Sequence, residues 1–160
     1  MICAVISEDI PACVRVVWES FLTVAREFGI TPQNAPRFTA FAVTEERLRW
    51  QLTQERRPMY GWFEGEALRG YYSLAPQGEG VWELNNLCVL PGRRHQKIGG
   101  RLLCHAMDTA RSLGCVRLTL GLVEENARLR AWYEGFGFVH SHTKKFDFFP
   151  FTCGYMERAL

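Results

Sequence analysis

Between residues 81 and 123 the hydrophobic rhythm of the chain changes twice, and this limits its architecture more than any other feature. Residues 81–90 read as a strand that ends at Pro91. Ile98, Leu102, Ala106, Ala110 and Leu113 then recur at helical spacing, and Gly114 closes the stripe. Residues 116–123 read as a second strand. A strand, a helix and a strand in succession imply a parallel pair.

The flanking segments imply antiparallel pairing. Residues 59–63 and 68–75 flank a turn at Glu64-Gly65-Glu66, and residues 76–80 turn the chain again. Upstream, residues 3–6 form a short first strand, and Asp9 and Pro11 mark a helix start. Ile10, Val14, Val17, Phe21, Val24 and Phe28 give that helix one apolar face, ended by Gly29. Residues 31–41, with Pro32, Asn34 and Pro36, are expected to be an irregular loop. Thr44, followed by Glu45 and Glu46, caps a short helix through Leu48 and Leu52. Downstream, residues 126–136 read as a helix, and residues 138–142 and 153–158 as strands. The expected fold class is α/β: a mixed sheet of about seven strands with about four helices. The order is β-α-α-β-β-β-α-β-α-β-β, in one domain spanning residues 1–160.

Composition narrows the function. With 48% apolar residues the chain can bury a substantial core, and a net charge of +2 argues against nucleic acid or an anionic membrane as partner. Cys3, Cys13, Cys88, Cys104, Cys115 and Cys153 form no C-x-x-C pair and sit in apolar stretches. Neither a secretory leader nor a membrane-spanning run is present, so a reducing cytoplasm is expected.

The junction from strand to helix is the most chemical stretch. Pro91-Gly92-Arg93-Arg94-His95-Gln96-Lys97-Ile98-Gly99-Gly100-Arg101 puts two glycines at a helix start, among four cations. Free amides and the helix dipole favour an anion there, and a diphosphate is the expected guest. The Walker and Rossmann glycine spacings are absent. A solvated basic turn is the plain alternative.

This stretch resembles motif A of the GNAT superfamily of N-acetyltransferases, Q/R-x-x-G-x-G/A. Arg94 matches its first position and Gly99 its last. Lys97 stands in place of the middle glycine, and Lys tolerates positive φ poorly, so a right-handed backbone still presenting its amide is expected. Upstream, residues 83–91 are similar to the family's fourth strand. Downstream, residues 126–138 are similar to its N-x-x-A-x-x-x-Y-x-x-x-GF signature, with Leu129 replacing a small residue. The resemblance implies acetyl-CoA as cosubstrate and an amine as acceptor, with direct transfer in a ternary complex. It implies Leu87, Cys88 and Val89 as the pantetheine-binding main chain. It also implies Arg94, His95, Gln96, Lys97, Ile98, Gly99 and Gly100 as the diphosphate loop.

Acetyl transfer to an amine needs a base, an oxyanion donor and an acid for the thiolate. Glu83, among Trp82, Leu84 and Leu87, is the candidate base, and Tyr133 the candidate acid, with the thioester expected between them. The amide of Cys88 or Val89 would polarise the carbonyl, and Asn85-Asn86 is a plausible bulge site. Cys88 itself reads as a buried small residue. Asn126 caps its helix and is a second pantetheine contact. His140 and His142 lack the partners of a metal site, so no metal is expected. Phe146, Phe148, Phe149, Phe151 and Tyr155 form core packing or an acceptor wall, the latter with Phe38, Phe41 and Tyr72, while Asp147 would attract a cation. The acceptor is a small molecule or a peptide, and a homodimer is compatible with the exposed aromatics. A non-catalytic acyl-CoA-binding module is the main alternative. A nucleic-acid binder using the basic loop is weaker.

Overall fold

The computed structural model describes the whole chain, Met1–Leu160. It is built from β1 (Ile2–Ala4), α1 (Ile10–Glu27), α2 (Thr39–Ala42), α3 (Glu45–Thr53), β2 (Met59–Glu64), β3 (Ala67–Gly78) and β4 (Val81–Val89). These are followed by α4 (Ile98–Ser112), β5 (Arg117–Val123), α5 (Ala127–Glu134), β6 (Val139–Lys145) and β7 (Thr152–Ala159). The seven strands form one sheet in the order β1-β2-β3-β4-β5-β7-β6. Only β4 and β5 run parallel; the other neighbours are antiparallel. The mixed α/β architecture read from the sequence is the one observed. There are five α-helices, because the segment expected to be loop contains the single turn α2, which buries Ala40.

Local signals explain most boundaries. The Thr44 hydroxyl accepts from the Arg47 amide at 3.2 Å, opening α3. Gly29 and Gly114 sit at φ +65° and +82°, ending α1 and α4 in the left-handed region. Asp9 acts one turn early: its carboxylate accepts from the Ile6 amide at 3.0 Å and closes the 3-10 turn leading into α1.

Two layers of helix cover the sheet. On one face α4 and α5 pack on Tyr72, Leu74, Leu84, Val89, Leu118, Leu120 and Met156. On the other, α1 and α3 pack on Met59, Leu68, Tyr71, Cys88 and Leu90. A third cluster joins the end of α1 and α2 to Val123 and Phe151. No helix is long and apolar enough to cross a membrane.

Candidate active site

β4 and β5 pair over three residues only: Val81 with Arg117, Trp82 with Leu118, and Glu83 with Thr119. From there β5 continues against β7, and β4 continues against β3 alone. The parting coincides with a bulge. The β3 register slips between Tyr71 and Ser73, opposite Asn86, which has φ +55°. Asn is among the residues that accept this conformation most readily. The extra residue resets the alternation of side chains. Glu83 and Asn85 therefore share the α1 face with Cys88 and Leu90, while Leu84, Leu87 and Val89 face α4. The stretch containing Leu87, Cys88 and Val89 has no β5 neighbour, so the sheet opens there as a wedge.

The loop at the mouth of this wedge forms an anion cradle. His95 and Lys97 both have φ +64°, with Gln96 between them on the negative side. Such alternation turns successive amides toward one concavity. The amides of His95, Gln96, Lys97, Ile98, Gly99 and Gly100 donate to no acceptor within the chain. Lys97, the N-cap of α4, is left-handed and not right-handed as expected from its side chain. The loop geometry overrides a residue preference of about 1–2 kcal/mol. Gly100 has a second reason to be glycine, since a Cβ there would lie 3.1 Å from the Phe136 ring of α5.

Arg94 does not display its charge to that concavity. Its Nε donates to the Val89 carbonyl at 3.1 Å, one Nη to the Thr23 hydroxyl at 2.9 Å, and the other to the Ser20 carbonyl at 2.9 Å. The guanidinium is a clamp between α1 and the end of β4, and burial lowers its proton affinity. Arg93 is likewise engaged, by Glu64 at 3.0 Å.

Glu83 is half-buried, and desolvation raises its pKa above the ordinary carboxylate range, opposed by the Asn85 amide and the Arg57 guanidinium. Tyr133 is 6% exposed, between Trp132 and Phe138. Burial, with a smaller contribution from the Cys88 thiol, pushes its phenol pKa well up, so it stays protonated. Glu83 and Tyr133 do not face one another as the sequence suggested. Glu83 projects between Trp82 and Leu84, away from the α4–α5 core that holds Tyr133. The Cys88 thiol, desolvated beside Ser20 and Arg94, is pushed up to about 12 and is not a nucleophile at neutral pH. Asn126 caps α5 by accepting from the Leu129 amide at 3.2 Å.

The aromatic residues divide between the faces. Phe38 meets Phe151 at 5.8 Å and Phe41 at 6.0 Å, and Phe149 stacks on Phe151 at 4.7 Å. Tyr72 does not belong with them. It points into the α4 side, where its hydroxyl lies 2.7 Å from His105 Nδ1 and 3.2 Å from the Thr109 hydroxyl. Tyr155 stacks on His142 at 4.6 Å, on the face that carries Glu83. His140 contacts Glu124 at 3.0 Å, and Arg130 holds the same carboxylate. Asp147 lies on the exposed tip between β6 and β7.

Three residues of the Glu83 face went unread in the sequence. Continued past its first pair, Met59 with Ser73, the β2–β3 register carries Arg57 toward Ala75, which is itself opposite Glu83, whose parallel partner is Thr119. Gly121, two residues on, pairs with Tyr155, whose ring covers it: a Cβ there would lie 3.4 Å from the ring. Only the alternation before Met59 hinted at Arg57, and the hint needs a register that local patterning does not supply.

Comparison with known proteins agrees with this geometry. The sequence pattern of the Acetyltransferase (GNAT) family matches residues 18–138. An uncharacterized N-acetyltransferase of Mycobacterium tuberculosis is 26% identical over 118 residues, covering 74% of this chain and 76% of that protein. Among solved structures, the PaiA N-acetyltransferase of Thermoplasma acidophilum, crystallised with coenzyme A, superposes with a TM-score of 0.85. It is 22% identical and covers 100% of this chain and 98% of its own. A ribosomal-protein-alanine N-acetyltransferase of Brucella melitensis gives a TM-score of 0.76 at 21% identity, covering 100% and 99%. At these identities the structures speak for the fold.

Proposed function

We propose that this chain, which belongs to the GNAT acetyltransferase family, moves an acetyl group from acetyl-CoA to a primary amine by direct attack in a ternary complex. The observation that carries this reading is the junction of two features: six unpaired amides at residues 95–100, and a parallel pair that parts just beyond Glu83. The amides fit a diphosphate, and the open edge at Leu87, Cys88 and Val89 fits the amides of a pantetheine arm. The thioester, when bound, supplies the acetyl group and a thiolate leaving group.

The residues then divide the work. Glu83, with its raised pKa, takes the proton of the incoming ammonium, directly or through water. An amide of the open β4 edge, from Cys88 or Val89, donates where oxyanion charge develops. Tyr133, held protonated by burial, gives its proton to the departing sulfur. Arg94 acts indirectly, fixing the end of β4 against α1.

The presence of both Glu83 and Tyr133 favours an enzyme over a passive acyl-CoA-binding module. Thiol release from acetyl-CoA in a panel of primary amines tests the choice. Release that disappears in Tyr133→Phe and Glu83→Gln supports the enzyme. Calorimetric binding of CoA with no release for any amine supports the module.

A further inference from the structure

Arg57, Ala75 and Glu83 lie in one row across three neighbouring chain segments. Met59 pairs with Ser73, and the Leu74 amide donates to the Pro58 carbonyl at 2.9 Å, so the antiparallel register continues to Arg57 opposite Ala75. Ala75 pairs in turn with Glu83. Two strand spacings separate the outer members, about 9–10 Å at the backbone. The residue between them is the smallest that carries a side chain, so a long guanidinium can extend over it toward the carboxylate. Arg57 acts electrostatically on Glu83, as this arrangement requires.

The guanidinium is only partly engaged. Its Nε is paired with Glu55, while its two terminal nitrogens have no hydrogen-bond partner in the chain. The arginine side chain retains 20% of its exposure. On the same face as Glu83 lie the half-buried Thr119 and Tyr155, with the Tyr155 ring against Gly121. Near the β6–β7 tip, Arg37 lies over the Phe148 ring and Lys144 over the Phe146 ring, each at 4.6 Å.

We infer that the acceptor carries a carboxylate close to its amine, as a free amino acid does, with the carboxylate held by Arg57 and the amine delivered to Glu83. The inference rests on the transferase reading above and names its acceptor class. A guanidinium with two free donors matches a carboxylate bidentately. The arrangement also couples binding to chemistry. An acceptor carboxylate paired with Arg57 offsets the ammonium that its own amine brings beside Glu83, so the acceptor arrives with no added net positive charge next to the base.

Thiol release from acetyl-CoA is to be measured with L-amino acids and with their α-carboxamides, which keep the amine and lose the negative charge. At least one amino acid is expected to exceed its carboxamide at least tenfold in kcat/KM. Arg57→Met brings that acid down to the level of its amide, mainly through KM, and Arg57→Lys retains part of the preference. Carboxamides or polyamines that serve as well as the acids overturn the inference, as does a preference that survives Arg57→Met. The acid-to-amide ratio of the unaltered protein decides the matter even if the Arg57 variants fold poorly. Absence of release with every amine is a failure of the transferase reading. The same pairs titrated calorimetrically into CoA-saturated protein then judge the acceptor class, and equal affinities reject it.

Discussion

Arg94 and Thr23 are joined by a guanidinium-to-hydroxyl hydrogen bond of 2.9 Å that ties the loop after β4 to the middle of α1. The same guanidinium reaches Ser20 and Val89. Arg94→Met leaves two carbonyls and a hydroxyl without their charged donor. A loss of about 2–3 kcal/mol is expected in urea unfolding. Arg94→Lys should recover little, because an ammonium cannot span three divergent acceptors. An Arg94→Met protein as stable as its parent would show that the clamp is incidental.

Lys97 holds a left-handed conformation that a glycine adopts freely. Lys97→Gly relieves about 1–2 kcal/mol of strain and gives back about 0.4–1 kcal/mol in chain entropy. The variant should therefore melt slightly higher than the parent. If the amides and not the ammonium hold the diphosphate, calorimetry will show its CoA affinity within about threefold of the parent, well under the tenfold that 1.4 kcal/mol represents.

Glu83→Gln is expected to lower kcat/KM by about 10²–10³-fold, the range of a positioned general base. In the parent protein, activity should fall as pH drops through the raised Glu83 pKa, so the acidic limb lies above the ordinary value of about 4.3. Stability runs the other way. Folding disfavours the ionised form of a group whose native pKa is raised. That penalty is absent below the unfolded pKa and complete above the native one. Glu83→Gln should therefore melt higher than the parent at neutral pH, with the gap closing toward pH 4. A gap that widens on acidification would contradict the assigned shift.

Tyr133→Phe keeps the ring between Trp132 and Phe138 and removes only the hydroxyl. A fall of about 10²-fold in kcat with little change in CoA affinity is expected if this phenol protonates the leaving group. Equal losses in binding and turnover would instead mark it as a packing residue.

In the proposed site Cys88 would offer its main chain, not its thiol. With the thiol pushed up to about 12, an alkylating reagent at neutral pH should label the exposed Cys104 and spare Cys88. Cys88→Ala should keep kcat within about threefold of the parent, because an alanine amide donates equally well.

Local chemistry was readable where it depended on neighbours in the chain. The caps at Thr44 and Asn126, the stop at Gly114 and the bulge at Asn85-Asn86 all follow from side chains acting within a few residues. What depended on the far side of the fold was not. Tyr71 and Tyr72 are adjacent in a strand, so one must face each helix layer, and nothing local says which. The cations of the basic loop looked alike in sequence, yet Arg94 turns inward because α1, some seventy residues earlier, offers it acceptors. Arg57 gained meaning only once Ala75 was known to lie between it and Glu83.

The brief partnership of β4 and β5 also bears on traffic. A continuous sheet divides a small protein into two halves that cannot exchange groups. Here the partition has a slot, so in the proposed reaction a donor on the α4 side and an acceptor on the α1 side would arrive by separate doors. Under that reading neither would have to leave before the other enters, and the spent donor would back out along its own route while the modified amine departs by the other.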